Sequence, residues 1–223
     1  DYPGHKWRVT TPLLLAELSK EEQLTVDVLS TLQAFADIQL NDYHTIVLHF
    51  KNYDPLVPGQ KALAQLTKFV EQGGGLVLLH FACGAFEECQ EQFEPLAGRV
   101  WFGQKPPAGR HQHDPRGPFQ VHIADQSHPI TKGLADFDTV DELYTCLKGE
   151  TKIHPLAVAV SKVDQKTYPI AFCLQPGKGR VFHCVLGHDR EALRSEGATT
   201  LIRRGCIWTA GISPTSGPAK RLP

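Results

Sequence analysis

Two histidines stand where a run of apolar residues stops. His80 closes Leu76-Val77-Leu78-Leu79, and His188 follows Val185-Leu186-Gly187. An imidazole titrates near pH 7, so it can serve as a general base, a general acid or a metal ligand. The plainer reading of His80 is a core residue hydrogen-bonded to backbone. The plainer reading of Gly187-His188-Asp189 is a helix-start turn with Asp189 as N-cap. Glu142, beside Asp141, is either half of an exposed acidic pair or a third chemical group. His80, Glu142 and His188 together would suit Zn²⁺ or a similar divalent ion. Their spacing is non-local, so the sequence alone does not bring them together.

Cys83 invites a second chemistry, a thiolate nucleophile at a sharp strand-to-helix turn. Such a turn wants its nucleophile at the strand end, and Cys83 comes three residues after His80. The thiol is therefore the weaker candidate. His111-Gln112-His113 lies in a stretch rich in Gly, Pro, Arg and His, where it is either a lid or a solvated loop. Tyr2, Trp7, Tyr53 and Trp101 offer aromatic faces that pack on the apolar faces of sugars. For Trp7, core packing is the better reading.

The elements that must position these groups follow from patterning. Thr11-Pro12 before Leu13, Leu14 and Leu15 predicts a helix start with Thr11 as N-cap. Residues 24–29, 45–50 and 76–80 are short, apolar and β-branched, as strands of a buried parallel sheet are. A helix is expected over 58–72, stopped by Gly73-Gly74-Gly75. A short helix at 93–96 and a long loop over 98–118 come next. Strands are then expected at 119–123, 140–146, 156–160, 170–174 and 180–186, and a last helix at 198–210. Strands alternating with helices predict a three-layer α/β/α sandwich with a mostly parallel sheet. In such folds ligands bind at the carboxyl ends of the strands. That rule gathers the segment from Tyr2 to Trp7, then Lys51-Asn52-Tyr53, His80 and His188-Asp189 at one mouth.

Composition sets outer bounds. The chain has 223 residues, 41% hydrophobic, with a formal net charge of −1. That suits one domain over 1–211, with a Pro/Ser/Gly-rich tail or linker at 212–223. No Lys/Arg run exceeds two, which argues against nucleic-acid and membrane-surface partners. No apolar run approaches a membrane span. The six cysteines show no C-x-x-C spacing and are expected reduced and mostly buried. There is no methionine, even at position 1, so the chain is expected to be processed, exported or a fragment. Cytoplasmic and exported locations both stay open, as does a homo-oligomer.

Five segments, in order, resemble the ThuA (trehalose-utilisation) family. They are Asp1-Tyr2-Pro3-Gly4-His5-Lys6-Trp7, the GGGLVLLHFACGAF run at 73–86, Ser127-His128-Pro129-Ile130, Asp141-Glu142-Leu143-Tyr144, and Gly177-Lys178-Gly179-Arg180-Val181-Phe182 leading to Leu186-Gly187-His188-Asp189. The resemblance implies a class I glutamine amidotransferase-like, flavodoxin-like fold whose first strand is missing from this chain. It implies a small carbohydrate as substrate, trehalose or a keto-sugar derivative. It also implies that His80, Glu142 and His188 form the catalytic set. Tyr2, His5, Lys6, Asn52, Tyr53, His113, Tyr144 and Asp189 are then expected around the substrate. Gly177-Lys178-Gly179-Arg180 does not open a helix as G-x-G-x-x-G, so no NAD site is expected. That leaves hydrolysis, isomerisation or lyase chemistry, or a catalytically inactive sugar-binding or interaction module.

Overall fold

A computed structural model describes residues 4–51, 59–101 and 112–212. In chain order the elements are α1 (Trp7–Leu18), α2 (Leu32–Asp37), β1 (Thr45–Leu48), α3 (Gln60–Glu71), β2 (Gly75–Leu79), α4 (Gln90–Ala97), β3 (Gly117–Ile123), β4 (Phe137–Asp141), β5 (His154–Val160), β6 (Thr167–Leu174), β7 (Arg180–Cys184) and α5 (Glu196–Thr209). The strands form one sheet in the order β1-β2-β7-β6-β5-β3-β4.

Alternation along β2 explains the two cores. Successive strand residues face opposite ways. Val77 and Leu79 join Leu14, Leu18, Phe182, Leu201 and Ile202 under α1 and α5. Leu76 and Leu78 join Leu63, Leu66, Val70, Phe93 and Leu96 under α3 and α4. Both faces are therefore covered by helices, and β2 is buried at every position.

The expected mostly parallel sheet is corrected to a mixed one. Among the described residues only β1 with β2 and β2 with β7 run parallel. The pairs β3–β4, β3–β5, β5–β6 and β6–β7 are antiparallel. The reason lies in the connections. A parallel return needs a crossover of a dozen or more residues, which α3 supplies between β1 and β2. Residues 161–166 and 175–179 are too short for one, so β5, β6 and β7 must pair antiparallel.

Residues 24–29 form no strand and pair with none among the described residues. Val28 is 51% exposed and Leu29 44%. Their β-branched character is a propensity, and propensity without a partner makes no strand. The start of α1 also differs. Lys6 is its N-cap and Pro12 lies inside it, so Thr11 caps nothing. The strand expected at 140–146 ends at Asp141. The last helix starts at Glu196, with the Ser195 hydroxyl accepting from Ala198 N. Pro58, at the expected start of α3, and the tail from 213 onward lie outside the described residues. All six cysteines are buried and free.

The β3–β4 edge curls back over α5. A Cβ on Gly197 of α5 would overlap the Phe137 ring of β4, and one on Gly205 would overlap Phe182 of β7. Gly205→Ala should lower stability by about 1–3 kcal/mol despite alanine's better helix propensity, because overpacking outweighs it. Urea denaturation checks this.

Candidate active site

The strand ends of β2 and β7 lie side by side, since Leu79 pairs with Cys184. His80 follows β2 at φ +46°, a left-handed conformation unusual for a residue with a side chain. That turn aims its ring across to β7. Val185 O lies 2.7 Å from His80 Nδ1. A carbonyl only accepts, so Nδ1 carries the hydrogen and Nε2 is left with a lone pair. This Nε2 is the centre of the site.

Around it stand His5 Nε2 at 3.0 Å, His188 Nδ1 at 3.3 Å and Glu142 Oε2 at 3.7 Å. Tyr144 Oη donates to it at 2.8 Å. Glu142 Oε2 also lies 3.1 Å from His188 Nδ1 and 4.0 Å from His5 Nε2. His5, His80, Glu142 and His188 thus present four ligating atoms within 4.8 Å of one another.

The electrostatics fit this crowding. Burial and the neighbouring His80 and His188 push His5 down to about 2, so it stays neutral. Burial works to raise Glu142, but the hydrogen bond from His188 and the nearby His80 ring overcome it and hold the carboxyl well below its usual range. Burial works to lower His188, and its bond to Glu142 more than offsets that. Glu142 is an anion facing imidazoles, which suits acid/base work or cation binding.

Asp141 is the group that sequence reasoning missed. It is fully buried, and its carboxylate accepts from Gly187 N at 2.7 Å, His188 N at 3.2 Å and Glu142 N at 2.8 Å. Burial raises its pKa, with His80 and those three N–H groups opposing the rise. The signal was present in the sequence as the Asp141-Glu142 pair, read there as one acidic unit. The two carboxylates in fact divide the labour. Asp141 fixes the loop that carries His188, and Glu142 faces the rings.

The other expected residues separate. His113 lies beside the cluster, its Nδ1 3.9 Å from Glu142 Oε1, on a backbone bridge to Tyr144. Trp101 packs edge-on against Tyr144. Lys6 is exposed and caps α1. Asp189 accepts from Glu191 N and Ala192 N and pairs with Arg116, which is the turn-capping role. Tyr2, Asn52 and Tyr53 lie outside the described residues. Lys51, which the strand-end rule gathers at the same mouth, borders a cavity of about 40 Å³ with His5, Phe81, Cys83, Gly84, Trp101 and Tyr144. A groove of about 440 Å³ between α1 and α5 is larger but is lined chiefly by charged and aliphatic side chains. Perturbed titratable groups concentrate at the histidines instead.

Cys83 is 1% exposed, and burial pushes its thiol pKa up. A nucleophile needs the opposite shift. In native protein Cys83 should resist iodoacetamide and react only on unfolding, as peptide mass mapping would show. Asp141→Asn should cost about 2 kcal/mol, since an amide NH₂ would face backbone donors. Asp138→Asn, on the exposed face of the same strand, should stay within about 0.5 kcal/mol by the same denaturation measurement.

The family model described as trehalose utilisation matches residues 2–209. A ThuA-like protein from Parabacteroides merdae is 23% identical over 96% of this chain and 89% of its own, with a TM-score of 0.79. One from Bacteroides uniformis is 16% identical over 89% and 82%, with a TM-score of 0.67. A β-galactosidase from Bacillus circulans sp. alkalophilus is 11% identical, and the match covers 94% of this chain and 28% of that enzyme, with a TM-score of 0.59. These likenesses show the fold. No curated protein matches the chain.

Proposed function

The chain belongs to the trehalose-utilisation (ThuA) family, and from that premise we propose that it is an enzyme acting on a small carbohydrate by non-redox acid/base chemistry, at a divalent metal ion held by His5, His80, Glu142 and His188. One observation carries this reading: the four donor atoms converge within 4.8 Å of one another. Donors to Zn²⁺ at 2.0–2.1 Å in a tetrahedron stand about 3.3 Å apart. Five of the six pairs here measure 3.0, 3.1, 3.3, 3.7 and 4.0 Å, and the sixth lies within 4.8 Å. The His80 Nδ1–H bond to Val185 O supports it too, because ligating histidines commonly anchor the opposite nitrogen this way. When bound, such an ion would supply Lewis acidity and an acidified water.

The residues offer matching work. Glu142 has a second carboxylate oxygen, Oε1, on the His113 side, able to accept a proton while Oε2 faces the ion. Trp101 offers an aromatic wall for a sugar face. The substrate class comes from the family's description, trehalose utilisation. An inactive binding module is the weaker alternative. Burying a carboxylate among three imidazoles is costly, and sugar binding alone does not require it.

Elemental analysis and calorimetry test this directly. The protein should bind one equivalent of Zn²⁺, Mn²⁺ or Co²⁺. His80→Ala and Glu142→Gln should each weaken binding at least tenfold, since even supporting residues around a metal cost about 10–100-fold. Turnover on a panel of glucosides, disaccharides and keto-sugars should fall with EDTA and return with metal. Failure of all three ions to bind, or EDTA-insensitive turnover, would overturn the proposal.

A further inference from the structure

Tyr144 Oη stands about as close to two members of the cluster as those two stand to each other. It lies 2.8 Å from His80 Nε2 and 3.3 Å from His5 Nε2. The two nitrogens are themselves 3.0 Å apart. The phenol cannot readily swing aside. Tyr144 is 3% exposed, and its ring is packed between His80 and Trp101 at centroid distances of 4.5 and 4.9 Å. Its backbone is bridged to His113.

His80 Nε2 has one lone pair, because Nδ1 holds the hydrogen given to Val185 O. Without an ion, that lone pair accepts the Tyr144 O–H. An ion held by His80 takes the same lone pair, and the hydroxyl hydrogen is left pointing at a dication. The conflict resolves if the hydrogen leaves and the oxygen turns to the ion.

We propose that Tyr144 is a fifth ligand of this centre, bound as phenolate, an inference that rests on the metal reading above. On loading, the O–H bond breaks, an oxygen–metal bond forms and the proton goes to solvent, with no change of oxidation state. With Glu142, Tyr144 then supplies two negative charges to a divalent ion among three neutral imidazoles. The donor set becomes charge-matched, which lowers the cost of burying the ion.

The test uses Cu²⁺ as a coloured divalent probe on the full chain. One equivalent should produce an intense tyrosinate-to-copper charge-transfer band. Tyr144→Phe should lack that band while still binding one equivalent of Zn²⁺ by calorimetry. In the wild type, Zn²⁺ alone should give the ultraviolet difference spectrum of ionised tyrosine, a readout that needs no variant. Stoichiometric metal binding with neither signal overturns the phenolate ligand and leaves the metal centre standing. A band that survives in Tyr144→Phe also overturns it. A wild type that binds no metal overturns both.

Discussion

The site depends on one buried carboxylate. Asp141 ends β4, at the far edge of the sheet, yet it binds the backbone of Gly187 and His188 just beyond β7. In ladder order these strands are separated by β6, β5 and β3. Only the curl of the sheet over α5 brings them together. Hydrogen bonds to a buried charge contribute about 1.5–3 kcal/mol each, and an unmade one leaves a desolvated anion. Asp141 therefore locks the curl, and the curl places Glu142 and Tyr144 opposite His80. Gly187 makes the lock possible, since its φ of +117° turns two successive N–H groups toward one carboxylate.

The second constraint is His80. A side chain held in the left-handed region costs about 1–2 kcal/mol. The conformation persists because the ring is fixed from both ends, by Val185 O at Nδ1 and Tyr144 at Nε2. Strained residues of this kind cluster at functional sites. The following Phe81 ring packs against His5, so the segment before α1 is tied to the same turn. Cys83, further along that turn, is buried in the core beneath it.

Much of the parallel half was legible in the sequence. Apolar β-branched runs with a helix between them gave β1, α3 and β2, and strand-end logic placed His80 and His188 at one edge. The antiparallel half was harder to read. The runs at 119–123, 156–160 and 170–174 fall in β3, β5 and β6, whereas the run at 140–146 meets β4 only at Val140 and Asp141. The strand directions depend on turn lengths at 161–166 and 175–179, which the alternation of strands and helices obscured. Residues 24–29 misled because local propensity cannot report whether a partner strand is present. Glu142 rested on the family resemblance, since no local pattern tells that an edge strand will curl back. Asp141 was hidden for the same reason. Its partners are backbone N–H groups, and every residue but proline carries one. Asp189 shows the reverse case, where the capping chemistry legible from Gly187-His188-Asp189 is what the structure contains.

The cluster joins three parts of the chain that no short segment contains. His5 comes from the segment before α1, His80 and His188 from the parallel half, and Glu142 and Tyr144 from the end of the antiparallel edge. None of these groups meets another until the sheet has formed and curled. An ion or substrate held there binds the folded chain and finds no matching site in the unfolded one. Its binding free energy is then added to the stability of the whole fold. Without such a ligand, the same residues work against stability, because three imidazoles, a carboxylate and a phenol are largely withdrawn from water. A chain under selection for stability alone would replace them with aliphatic side chains. Their convergence at the carboxyl ends of β2 and β7 is the physical argument for function, and it holds at a level of sequence identity where likeness to other structures establishes only the fold.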